Sequence, residues 1–158
     1  MLLHEIYNKD RIRLHLDDMN KDQALKELVD LLVKATGIER GDEILKVIMD
    51  REKDMSTGIS NGIAIPHGKI DNLDGMVGVI GISDKGINYD SLDHKPTRII
   101  FLFISSKSKY EEHLMMLNRI SVIAGNQKFR KEFLTSESPE YANHMLRKYE
   151  TKPSPHRR

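Results

Sequence analysis

The stretch IAIPHGK, Ile63 to Lys69, ends an apolar run on a proline and then offers a histidine, a glycine and a lysine. Pro66 fixes its own φ and biases Ile65 towards extended geometry, so the backbone entering His67 is stiff. Gly68 has no Cβ and is expected to leave room for a bulky group near the backbone. Neutral imidazole is a good nucleophile and titrates near neutral pH. Placed at a strand end, where ligands of α/β sheets usually bind, His67 could attack a negatively charged electrophile. Lys69 and local backbone N–H groups would steady the charge. A histidine beside a proline is also a common ordinary loop residue, so these residues alone leave both readings open.

The flanking sequence supplies the elements that must hold this histidine. A short edge strand is expected near Ile12 to Leu16. Ala24, Leu25, Leu28, Leu31, Leu32 and Ala35 follow the helical period, giving a helix from about Lys21 to Ala35. Asn20 or Asp22 is the expected cap and Gly37 the stop. A second helix is expected over Asp42 to Lys53, with a wide apolar face. STGISNGIAIPHG then changes character, and Ile63 to Ile65 reads as a strand ended by Pro66. Val77 to Ile82 reads as a strand, followed by a turn at Lys85-Gly86 and a short extension at Ile87 to Tyr89. RIIFLFI, Arg98 to Ile104, is nearly all apolar, as a central strand covered on both faces should be. Ser105 to Ser108 reads as a polar loop. Helices follow over Tyr110 to Ala124, near Lys128 to Leu134, and over Pro139 to Lys148, the last with Ser138 as cap. This alternation predicts an α/β fold, with helices on both faces of one sheet.

Length and composition set the outer bounds. The chain has 158 residues, 39% hydrophobic and 31% charged, which fits one globular domain over 1–150. The tail 151–158, with its prolines and basic end, is expected to be disordered. Lys+Arg of 25 against Asp+Glu of 24 gives a net charge of +1, with nothing to suggest a nucleic-acid partner. The absence of cysteine removes disulfide and thiolate chemistry. The N-terminus does not read as a secretory signal, and no apolar run approaches the ~20 residues of a membrane helix. A cytoplasmic protein without membrane insertion is the resulting expectation.

The longer segment REKDMSTGISNGIAIPHGK, Arg51 to Lys69, resembles the active-site signature of phosphotransferase-system IIA domains of the mannitol/fructose/nitrogen-regulatory type. KGINYDSLDHKPTRIIFLFIS and YEEHLMMLNRIS are similar to two further family segments, so the resemblance runs from about Leu14 to Tyr149. The wording of STGISNGIAIPHGK is most similar to the nitrogen-regulatory branch, with the fructose branch close behind.

The resemblance implies a three-layer α/β/α sandwich around a mixed sheet. It implies that His67 receives a phosphoryl group on Nε2 from a histidine-phosphorylated carrier protein, HPr or its nitrogen-branch relative NPr. His113 matches the family's second active-site histidine, and Arg51 its phosphoryl-contacting arginine. Without the family, His113 reads as a helix-surface histidine and Arg51 as a solvated helix-end cation paired with Asp50 or Glu52. Ser56, Thr57, Ser60 and Asn61 could add hydrogen bonds or merely shape the loop. No cofactor or metal is implied. Downstream, the group would pass to a separate IIB protein for sugar uptake, or the phosphorylated state would regulate a transporter or kinase. A binding module that does not transfer the group onward is a further alternative. A metal hydrolase built on His67 and His113 is a weak alternative, because two histidines make an incomplete zinc site.

Overall fold

The near-continuous apolar run becomes a strand buried along its whole length except at Arg98. In the computed structural model, which describes residues 2–150, it forms β5 (Thr97–Ser106). Its side chains alternate between two separate cores. Ile99, Phe101 and Phe103 enter one, while Ile100, Leu102 and Ile104 enter the other. That alternation is the period-two geometry of a strand buried on both faces.

Ahead of β5 come α1 (Leu3–Ile6), β1 (Ile12–Arg13), α2 (Lys21–Thr36), α3 (Gly41–Asp54), β2 (Ile63–Ala64), β3 (His67–Ile70) and β4 (Met76–Ile87). After it come α4 (Tyr110–Ala124), α5 (Gln127–Phe133) and α6 (Pro139–Tyr149). The sheet is mixed. β4 runs antiparallel to β5, β1 adds in parallel to β4, and β2 and β3 each add in parallel to β5. Helices α2 and α3 cover one face; α1, α4, α5 and α6 cover the other. The architecture is therefore a three-layer α/β/α sandwich.

Local chemistry explains the helix boundaries. Asn20 caps α2 in a reciprocal box with Gln23, and Gly37 closes it at φ 74°. Ser138 accepts from the Tyr141 N–H at the start of α6, with Pro139 in the first turn. The strands depart further from expectation. The Ile63–Ile65 strand is only Ile63–Ala64, and a second strand begins at His67 rather than a loop. Both sit on the same edge of β5, interrupted at Ile65–Pro66, where Pro66 has no N–H to give. The expected turn at Lys85-Gly86 is instead an irregularity within β4, whose register shifts between Ile82 and Ile87, with Gly86 at φ 89°. Ser105 and Ser106 belong to β5 and not to a loop. The tail 151–158 lies outside the described residues.

Candidate active site

His67 is the first residue of β3, directly beside Phe103 in the ladder. The Pro66 carbonyl accepts from the Phe103 N–H at 3.1 Å, so the backbone is tied to β5 on the approach to the histidine as well as after it. The ring folds back on its own chain, and Nδ1 lies 2.6 Å from the Ile65 carbonyl oxygen. A carbonyl only accepts, so Nδ1 carries the proton and the Nε2 lone pair is left free. One flank of the ring stacks on Phe103 at 5.7 Å and 18°.

His113 comes from the other side of the site. It is the first buried residue of the α4 stripe that continues through Met116, Ile120 and Ile123. Its backbone N–H bonds the Lys109 carbonyl, so this residue closes the first helical turn rather than offering a free N–H. The side chain is only 3% exposed, and its ring lies 5.3 Å from that of His67 at 63°. Nδ1 of His113 is 2.5 Å from Ser105 Oγ.

Burial disfavours charge on both rings. The pKa of His67 is lowered by desolvation, with Arg51 and Lys69 adding to the effect; the Ile65 carbonyl and Glu52 oppose it. That of His113 is pushed down to about 4, first by burial and then by His67 and Lys69. Both imidazoles are neutral at physiological pH.

Arg51 lies in the last turn of α3, half-buried, and donates to the Met55 carbonyl at 3.0 Å. The carboxylates that might have neutralised it are engaged elsewhere. Asp50 takes Lys46 and Lys53, and Glu52 takes Lys21. Lys69 Nζ sits 4.3 Å from the centre of the Tyr110 ring. The site thus joins a free imidazole nitrogen, a second neutral imidazole and nearby positive charge, which suits an incoming anion.

The loop before β2 is braced by Glu52, which the sequence offered only as a partner for Arg51. Glu52 is 8% exposed, yet its carboxylate is fully engaged. It accepts from the Thr57 N–H at 3.1 Å, from the Thr57 hydroxyl and from the Tyr89 hydroxyl at 3.0 Å, and it pairs with Lys21 Nζ at 2.6 Å. Asn61 and Gly62 both have positive φ, 59° and 73°, and turn the chain so that the Ile63 N–H reaches the Ser60 carbonyl. Thr57 and Asn61 therefore shape the loop. The Asn-Gly pair was a readable sign of this hairpin; the Glu52 cluster left no local sign. Phe103 and Ser105 were readable in principle, since they continue the Phe101 face of β5 by alternation.

Gly68 has a different role from the one expected. A Cβ there would lie 2.5 Å from Val47 Cγ1, so the missing side chain admits α3 to the sheet rather than a ligand to the backbone. Nor do the two histidines gather carboxylates for a metal. Among the described residues, the His/acid group close enough to share an ion is His15, Asp17 and Asp84. By register it lies towards the opposite end of β5 from His67. No helix among the described residues is long and apolar enough to cross a membrane.

Residues 5–149 match the family model described as phosphoenolpyruvate-dependent sugar phosphotransferase system, EIIA 2. The chain belongs to this family. A fructose-specific EIIABC component of Bacillus subtilis is 31% identical over 140 residues, 89% of this chain, but the chain spans only 22% of that longer protein. A nitrogen regulatory protein of Bradyrhizobium diazoefficiens is 31% identical over 121 residues, covering 77% of this chain and 78% of that one. The crystal structure of the nitrogen regulatory protein IIA-Ntr from Neisseria meningitidis superposes with a TM-score of 0.84 at 25% identity, covering 91% of this chain and 98% of that one.

Proposed function

We propose that the protein is a phosphoryl carrier that accepts the group on Nε2 of His67 from a phosphohistidine carrier protein of the HPr or NPr kind. The observation that carries this reading is the hydrogen bond from Nδ1 of His67 to the Ile65 carbonyl, which leaves Nε2 as the nucleophilic nitrogen. The Nε2 lone pair forms the new P–N bond as the donor's P–N bond breaks, and the donor imidazole leaves with that electron pair. The His67 ring gains positive charge as the bond forms, and the Ile65 carbonyl stabilises it through the Nδ1–H. Arg51 offers a planar fork to the phosphoryl oxygens, and His113 offers a hydrogen-bonding edge. Phosphoryl transfer depends chiefly on such positioning and charge stabilisation, and both ends are histidine nitrogens, so the step is nearly balanced.

The nitrogen-regulatory reading is favoured by the overlay with IIA-Ntr across nearly its whole length. Here the output is a change of binding partner, such as a transporter or kinase, when charge is added at His67. The similarity to a fructose-specific component supports a second reading, in which the group passes to a separate IIB protein. A cytoplasmic location fits both.

The test is phosphorylation from phosphoenolpyruvate through Enzyme I and either carrier, followed by intact mass under alkaline conditions. One acid-labile phosphoryl group is expected on the wild type and none on His67→Ala. Folded wild-type protein that stays unmodified with both carriers would overturn the reading. Addition of IIB proteins then separates the branches, because only the sugar-type carrier discharges onto one.

A further inference from the structure

Ser105 is completely buried, and among the described residues its hydroxyl oxygen has one hydrogen-bond partner, Nδ1 of His113 at 2.5 Å. A hydroxyl can give or receive, and so can a neutral imidazole nitrogen, depending on its tautomer. Burial breaks the tie. If Nδ1 of His113 donated, the serine O–H would be left without an acceptor in a site closed to solvent, an arrangement that folded proteins avoid. If the serine donates, both groups are satisfied. Nδ1 is then the acceptor, and the single ring proton resides on Nε2.

We propose that Ser105 is a positioning residue that holds His113 in the Nε2–H tautomer, opposite to the Nδ1–H tautomer that the Ile65 carbonyl imposes on His67. The consequence rests on the phosphoryl-carrier reading of His67. A phosphoryl group has only acceptor oxygens, so the neighbouring imidazole helps only if its outer nitrogen carries a proton. The other tautomer would turn a lone pair towards the anion and repel it. A buried, neutral His113 makes the distinction matter, because a doubly protonated ring would donate from either nitrogen. The two rings thus divide the labour: one supplies a lone pair and the other an N–H. The choice is made by one carbonyl and one hydroxyl.

The test is long-range proton–nitrogen NMR of the ring nitrogens in the unphosphorylated, nitrogen-15-labelled full chain at neutral pH. The expected wild-type pattern is a bare Nδ1 and protonated Nε2 on His113, with the reverse on His67. Protonated Nδ1 on His113 would overturn the proposal. In Ser105→Ala, His113 should redistribute between tautomers. The rate of transfer to His67 from the phosphohistidine carrier should fall about ten-fold, while Ser105→Thr, which keeps the hydroxyl, should restore both. An unchanged tautomer and rate in a folded Ser105→Ala variant would also overturn it; should that variant fail to fold, the wild-type and Ser105→Thr spectra decide. The tautomers are read without any phosphoryl group present. A failure of the carrier reading therefore shows as unmodified wild type, whereas a failure of this proposal shows as the wrong ring proton.

Discussion

Lysine at position 51 would keep the charge that bears on His67 and lose the planar fork. Arg51→Lys should therefore slow phosphoryl transfer by about ten- to a hundred-fold, less than outright loss of an oriented donor because the charge is kept. Quenched-flow rates should fall while carrier affinity changes little. The burial of His113 makes a separate prediction about pH. Its pKa falls from 6.5 to about 4 on folding, so between those values the unfolded chain takes up a proton that the native chain refuses. Native stability is thus fully present above about pH 6.5 and declines as pH falls towards 4, by on the order of 3 kcal/mol from this group. The lowered pKa of His67 acts in the same direction. Urea midpoints measured from pH 7 to pH 4 should show the decline, and His113→Asn should flatten it. At this scale Pro66 drew attention to His67, but the local residues left it open between a nucleophile and an ordinary loop histidine, and Gly68 proved to serve helix packing instead. His113 and Arg51 were singled out only through family resemblance, since nothing in their immediate neighbours separates them from surface residues. The Ile65 carbonyl could not be read, because a backbone contact across one intervening residue depends on a dihedral angle and not on residue type.

Among the elements, α3 comes close to β3 at Gly68. Gly68→Ala would drive a methyl group into Val47 and should destabilise the fold by about 1–3 kcal/mol. Val47→Ala in the same chain should recover much of the loss, and a double-mutant cycle in denaturant would read the coupling. Truncating Glu52 tests the neighbouring brace. Glu52→Ala leaves the Lys21 ammonium half-hidden without its carboxylate, and frees Thr57 and Tyr89. A loss of about 3–5 kcal/mol is expected by the same denaturation measurement. From α2 onward the helices were readable almost to the residue, because their apolar stripes and caps are local signals; α4 begins and ends at the expected residues, Tyr110 and Ala124, whereas the four-residue α1 is too short to show a stripe and was not expected. The strands were less so. β3 contains a histidine, a glycine and a lysine, and its identity as a strand comes from hydrogen bonds to β5 that no local pattern records. The irregularity in β4 likewise mimics a turn when only its glycine is seen.

At the scale of the molecule, β5 is the wall shared by both cores. Phe101→Ala and Leu102→Ala remove side chains from opposite faces, and should cost about 3–5 and about 2–5 kcal/mol respectively. That is a large part of a typical domain's stability. If the layers stand or fall together, each variant lowers a single unfolding transition seen by circular dichroism. Separate transitions in either variant would mean that the faces fold independently. The sandwich itself was legible from the alternation of helices with apolar runs, and from the unbroken hydrophobicity of β5. Its mixed strand directions follow from the chain's long-range connections, which single-segment reading does not reach.

The interruption at Ile65–Pro66 has a consequence for how the charged form of this protein would be told apart from the uncharged one. The backbone on either side of His67 is fastened to β5, through the Pro66 carbonyl before it and the β3 ladder after it. A phosphoryl group added to the ring would gain little purchase on the frame. Amide hydrogen exchange in β5 should be nearly the same with and without it, with any differences confined to the loop and the start of α4. The message would then be written in charge and not in shape, and a partner could read it only by touching the place where it is written.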